Sequence, residues 1–233
     1  MRIEQNKKHL AVTLEQPSTF LSWCLHGGGI SEGQEIFWAQ VESKELTRGV
    51  DPLSYLKKRW KDEELNPDIA FMTSAEINDF VCKKETFKDF EVSVLSTVGM
   101  GNALRAGDPG GYHLSLGTIN ILIEINKPFS SGALIEAISL GTEAKTAAVM
   151  DLNIFSNISG EKATGTGTDC MAVASHKGQA PLMYCGKHTK IGELIGKATY
   201  EAVFEGIQKW IKRKEKSNEE SKNNFRYWWS ELG

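Results

Sequence analysis

Several signals that would assign a function at once are missing from this chain of 233 residues. No apolar run is long enough to cross a bilayer, which takes about 20 residues as a helix. Residues 1–8 pass into a short apolar segment with no small-residue cleavage site, so no secretory leader is expected. The four cysteines, Cys24, Cys82, Cys170 and Cys185, form no CxxC pair. That argues against a zinc knuckle or a redox motif and fits a reducing cytoplasm. Each thiol reads more readily as a small core residue than as a nucleophile. There is no GxSxG turn to present a serine and no HExxH pair to hold zinc. The formal net charge of −3 favours solubility and no nucleic-acid partner. No internal repeat or interdomain linker is evident.

What is present centres on Ala163-Thr164-Gly165-Thr166-Gly167-Thr168-Asp169. Glycine costs helix stability and threonine is stiff at its first rotor, so this stretch is no ordinary helix. The glycines let a partner approach the backbone. The hydroxyls and N–H groups can bind oxygens, and Asp169 adds an acceptor or a base. The apolar run 170–174 follows, as expected of a loop that feeds a buried strand. A plain glycine-rich turn is the structural alternative.

The remaining pattern predicts strands over residues 9–14, 20–25, 35–42, 69–72, 90–97 and 118–125. In the last of these, Thr118, Asn120, Leu122 and Glu124 share one face and four isoleucines the other. Asp51-Pro52 caps and opens a helix. A short helix is expected near residues 75–82, and residues 83–89 read as a charged connection. A helix is expected over about 132–152 and another over about 191–214. Lys145 falls inside the apolar stripe of the first, between Ile138 and Ala148, so it must snorkel, pair with a carboxylate or face a polar cavity. His188 and Thr189 precede the second, where free N–H groups attract oxygens, and Thr189 suits an N-cap. The expected fold class is α+β: one layered domain over residues 1–214. Its mixed or antiparallel sheet packs with two long helices of the C-terminal half. Residues 215–233 form a charged and aromatic tail. In it Phe225, Tyr227, Trp228 and Trp229 are expected to dock on the body or on a second copy of the chain, a homo-oligomer.

Four glycine-rich or strand-end features recur: His26 before Gly27-Gly28-Gly29, the segment 97–108 with Asn102, Arg105 and Asp108, the loop 164–169, and His188-Thr189. Loops on a rigid sheet can converge on one site. Histidines, carboxylates, a lysine and hydroxyls suit acyl-transfer hydrolysis, with a base for water or a hydroxyl and donors for the oxyanion.

Five blocks, in order, carry a resemblance. They are residues 95–108, 117–120, 142–148, 163–169 and 186–196, with lesser likeness at 21–29 and 71–73. Together they resemble the adenosylcobinamide amidohydrolase family, over roughly residues 20–206. The resemblance implies a corrinoid-salvage enzyme whose domain spans residues 1–214. It would hydrolyse the amide between the aminopropanol arm and the corrin ring, giving adenosylcobyric acid and aminopropanol. Cobalt then belongs to the corrinoid substrate, and no cofactor or protein metal site is expected. The catalytic candidates are His188 or His26 as base or acid, Asp169 to orient or share the proton, and Glu143 and Lys145 to position the amide. Thr164, Thr166, Thr168, Asn102, Asp108, Asn120 and Thr189 are the substrate-binding candidates. A nucleophilic threonine ranks lower, because no adjacent base is evident.

Three rivals stand beside this reading. Residues 164–168 resemble the glycine-threonine phosphate loop of tubulin-like GTPases, although the leading glycines and a Walker lysine are absent. A non-catalytic corrinoid carrier would bind without turnover. A metal-dependent amidohydrolase could use His26, His113, His176 and His188, although no pair has metal-site spacing.

Overall fold

A computed structural model describes residues 1–42, 44–46, 49–111 and 116–231, with side chains to residue 217. His113 and the aromatic side chains of the tail lie outside these. An eight-stranded mixed sheet organises the chain. Its strands are β1 (Arg2–Gln5), β2 (His9–Ser22), β3 (Gly29–Gln40), β4 (Ile69–Thr73), β5 (Val81–Phe87), β6 (Phe90–Val98), β8 (Ile119–Ile125) and β10 (Cys170–His176). The helices are α1 (Pro52–Asp62), α2 (Ser131–Asp151) and α3 (Lys190–Glu231), and the two-residue strands β7 (Ala103–Leu104) and β9 (Gly165–Thr166) pair separately. The sheet order is β4-β3-β2-β10-β8-β6-β5, with β1 beside β2. β8 and β10 run parallel and are joined across α2.

Several boundaries differ from expectation for local reasons. The two strands expected over 9–14 and 20–25 are one strand, β2. Its register with β3 shifts between Thr13 and Ser18, and Pro17, which has no N–H to give the ladder, sits in that irregularity. The helix expected near 75–82 is only a 3-10 turn, Ile77–Asp79. The charged connection over 83–89 is mostly β5, an edge strand whose Lys83 and Glu85 pair with Glu205 and Lys197 of α3 while Lys84 lies exposed. Lys88, at φ 54°, takes the left-handed turn into β6. α3 runs past residue 214 to Glu231 because no glycine or proline follows Gly206 within it to stop it.

Strand alternation sorts the core into two layers. Ile119, Ile121, Ile123 and Ile125 join Met171 and Val173 against Leu134, Ala137, Ile195, Ala198 and Ala202 of α2 and α3. The other sheet face curls inward around Phe20, Trp38, Phe71, Leu95 and Leu122. Trp38 stacks on Phe71 at 3.9 Å between centroids and donates its indole N–H to Thr97 Oγ1 at 3.1 Å. Asn120 Nδ2 donates to Met72 O at 2.9 Å. These two bonds join strands that are not neighbours in the sheet, so the sheet must wrap toward its own edge. α1 covers the outside of β3 and β4 with Leu56 and Trp60.

Candidate active site

The wrapped sheet leaves the end of β6 and the starts of β8 and β10 together. Here the threonine-glycine loop is pinned from several elements. Asp169 Oδ2 accepts from Lys145 Nζ at 2.5 Å. Asp169 Oδ1 accepts from the Thr166 hydroxyl at 2.5 Å and the Thr166 N–H at 3.0 Å. Lys145, 8% exposed on α2, thus meets a carboxylate rather than reaching out to water. A Cβ at residue 165 would lie 2.1 Å from Asp169 Oδ2 and 2.5 Å from Lys145 Nζ, so a side chain there would push the pair off the loop. The loop needs glycine for that close approach.

Its neighbours are tied as firmly. Thr164 Oγ1 accepts from Ala106 N at 2.9 Å, and Thr164 O accepts from Thr146 Oγ1 at 3.0 Å. Gly167 N donates to Asn102 O at 3.1 Å. Thr168 donates its hydroxyl to Gly117 O at 2.9 Å and shares a hydrogen bond with Thr118 at 2.7 Å. A cavity of about 300 Å³ opens on one side, lined by Lys145, Asp169, Thr164, Gly165, Thr166 and Arg105 with its neighbours. A second, of about 220 Å³, is lined by Val41, Met72, Thr73, Asn102, Thr118 and Thr168 among others. Thr166 fronts the first and Thr168 the second, and Thr168 N donates to Thr166 Oγ1 at 3.4 Å. Among the described residues Asn102 Oδ1 is buried without a partner, as is Asn120 Oδ1 deeper in the wrapped sheet.

Other sequence candidates lie elsewhere. His188 is exposed on the turn before α3, its ring against Gly186. Its neighbour Lys187 pairs with Glu143 on the surface, so Glu143 faces away from Lys145. His26 binds Pro67 O through Nε2 at 3.0 Å and lies against Trp60 at 4.7 Å. Neither imidazole lines the cavity at Asp169. Thr189 accepts from Gly192 N at 3.0 Å and donates to Gly186 O at 2.8 Å, which is capping work. Asp108 accepts from Arg105 N at 2.7 Å and Ser156 Oγ at 2.5 Å. The Ser156 and Ser159 hydroxyls and the Arg105 N–H hold its carboxyl below the usual range. Among the described residues no group of three His, Cys, Asp or Glu side chains gathers as for a metal ion.

Trp23 is the neighbour that sequence reasoning passed over. Its indole N–H donates to Asp169 O at 2.8 Å while the side chain stays in contact with water. Its place in the alternation, one step past the end of β2, was the available signal. Next to it Cys24 and Cys170 bring their sulfurs to 3.4 Å, and burial pushes the Cys24 thiol up.

Comparison with known proteins bears on this geometry. The family model described as adenosylcobinamide amidohydrolase matches residues 1–215. The uncharacterized protein MJ1613 of Methanocaldococcus jannaschii is 36% identical over 168 residues. That match covers 63% of this chain and 66% of the relative's own length. Among solved structures, the PH0078 protein from Pyrococcus horikoshii OT3 is similar at a TM-score of 0.43 and 12% identity. That superposition covers 90% of this chain and 78% of the other.

Proposed function

Because this chain belongs to the adenosylcobinamide amidohydrolase family, we propose that the Lys145–Asp169–Thr166 centre hydrolyses an amide on a corrinoid. The bond is the one between the ring's acyl group and the aminopropanol arm, and the products are adenosylcobyric acid and aminopropanol. Cobalt enters as part of the substrate. The observation that carries this reading is Asp169, whose two oxygens hold a hydroxyl on one side and an ammonium on the other, beside a cavity.

Thr166 Oγ1 attacks the amide carbonyl and Asp169 Oδ1 takes its proton. Such transfer to a positioned base is worth roughly 10²–10⁴ in rate. Lys145 keeps the carboxylate paired and brings positive charge toward the oxyanion of the tetrahedral intermediate. Asp169 then returns the proton to the departing nitrogen as the C–N bond breaks. Water attacks the Thr166 ester, Asp169 takes a proton from it, and the Thr166 oxygen leaves with that proton. The acid and the amine are released and the hydroxyl is restored. The base that the sequence did not show beside a threonine is Asp169, three residues on.

Quenched turnover followed by intact-protein mass tests the attack. Wild type accumulates an acyl adduct on Thr166, Thr166→Ser retains activity, and Thr166→Ala loses at least about a hundredfold. Full activity of a folded Thr166→Ala protein would assign the attack to water.

A further inference from the structure

The cavities flanking the threonine loop measure about 300 and 220 Å³. Pockets that bury drug-sized ligands run to about 300–1,000 Å³. A corrin macrocycle with its side arms is bulkier than such ligands. Under the functional reading above, on which this inference rests, only the amide arm enters and the ring stays outside. A surface beside Asp169 must then carry a broad conjugated ring.

Such a surface is present. Trp23, Leu25 and Ile30 are 45%, 51% and 62% exposed. Ile30 stands opposite Leu21 in the β2–β3 ladder, and Trp23 lies two residues beyond Leu21. Trp23 N donates to Met171 O at 3.4 Å, which carries the pairing with β10 one residue past β2. Side chains two apart on such an extended run share a face, as do directly opposed residues, so Trp23, Leu21 and Ile30 lie on one face. The indole N–H is already used on Asp169 O, which fixes the ring at the edge of the catalytic loop. Its exposed ring leaves apolar surface open beside the Asp169 backbone. Adjacent exposed apolar side chains mark a binding surface more often than chance exposure does. An indole stacks well on another conjugated ring.

We infer that Trp23, with Ile30, forms a shelf for the apolar face of the corrin macrocycle and so aims its amide arm at Thr166. Trp23 is a positioning residue with two separable duties, a ring to stack and an N–H to hold the loop. Ile30, an apolar side chain with no N–H to give, has only the first duty.

Steady-state kinetics on adenosylcobinamide separate these duties. Trp23→Ala and Ile30→Asp raise KM about tenfold. Ile30→Asp raises KM more than it lowers kcat. Trp23→Phe keeps KM within about threefold and lowers kcat, because the ring remains and the hydrogen bond is lost. A small acyl amide that carries the same aminopropanol arm but no macrocycle is turned over equally by wild type and Ile30→Asp. Wild-type KM for adenosylcobinamide in both Trp23→Ala and Ile30→Asp overturns the shelf and leaves the hydrolysis standing. Absence of wild-type hydrolysis overturns the functional reading instead. Equilibrium dialysis with cobinamide then still decides the shelf: weaker binding by Ile30→Asp supports it, and equal binding overturns it.

Discussion

Lys145 and Asp169 each owe their place to the other. A charge this poorly exposed is costly alone, and pairing with hydrogen bonding offsets that cost. Removing one partner should therefore hurt more than removing both. In urea melts Lys145→Met is expected to lose about 3 kcal/mol, and the double change Lys145→Met with Asp169→Leu distinctly less. A single change that costs under about 1 kcal/mol would mean that the pair is solvated in solution. The sequence already marked Lys145 as a lysine in an apolar stripe and Asp169 as the end of the threonine loop. It did not show that they meet, because a loop's direction depends on the elements that pin it. For the same reason it did not show where the two histidines lie. Nothing local says that the His26 ring turns to Trp60 or that His188 faces water. Turnover of His188→Ala and His26→Ala is expected to stay within about threefold of wild type, and a hundredfold loss in either would return an imidazole to the mechanism. Far from the loop, Glu124 gives a pH test. Burial pushes its carboxyl up, but the hydrogen bond from His176 and further partners outweigh it, so it stays below its usual 4.5. A depressed carboxyl stabilises the fold above about pH 4.5, and that contribution is lost as pH falls through the lower folded value. Melting temperature followed from pH 6 to about 3 should fall less steeply in Glu124→Gln than in wild type.

The glycines of α3 show how the helices are seated. At Gly192 a Cβ would meet the carbonyl oxygens of Gly186 and Cys185 at 2.2 and 2.3 Å. At Gly196 the nearest atom is Leu140 Cδ1 at 3.7 Å, an ordinary contact. Gly192→Ala must push the 185–189 turn away from α3 and should lower stability. Gly196→Ala gains helix propensity of about 0.8–1.0 kcal/mol and should raise it. Thermal melts of the two variants check the opposite signs, and equal effects would contradict the seating of the turn. This contrast was invisible in the sequence, where the two glycines looked alike, one turn apart. The isoleucine strand was legible by its β-branched alternation, and the two long helices by long runs free of proline between strand and turn signals. β5 was not, because an edge strand alternates charge with apolar residues too weakly to stand out. The bulge that carries Pro17 broke β2 into two apparent strands for a related reason: a proline normally ends a strand.

At the scale of the whole molecule, the wrapping of the sheet turns scattered sequence blocks into one site. Residues 97–104, 117–120 and 163–169 meet only because β6, β8 and β10 are neighbours and the sheet curls. The family resemblance indicated that these blocks belong together, and the strand order supplies the physical reason. Trp38 bridges the curl to Thr97. Trp38→Phe removes that donor and leaves a buried hydroxyl unpaired, so a loss of about 1–3 kcal/mol is expected in denaturant titration. The most direct test of the account compares wild type with Asp169→Asn on adenosylcobinamide, with products weighed by mass spectrometry and folding checked by circular dichroism. Wild type should yield the carboxylic acid and free aminopropanol, and the folded variant should be at least about a hundredfold slower. Equal rates in the two proteins, or no carboxylic acid from either, would contradict it.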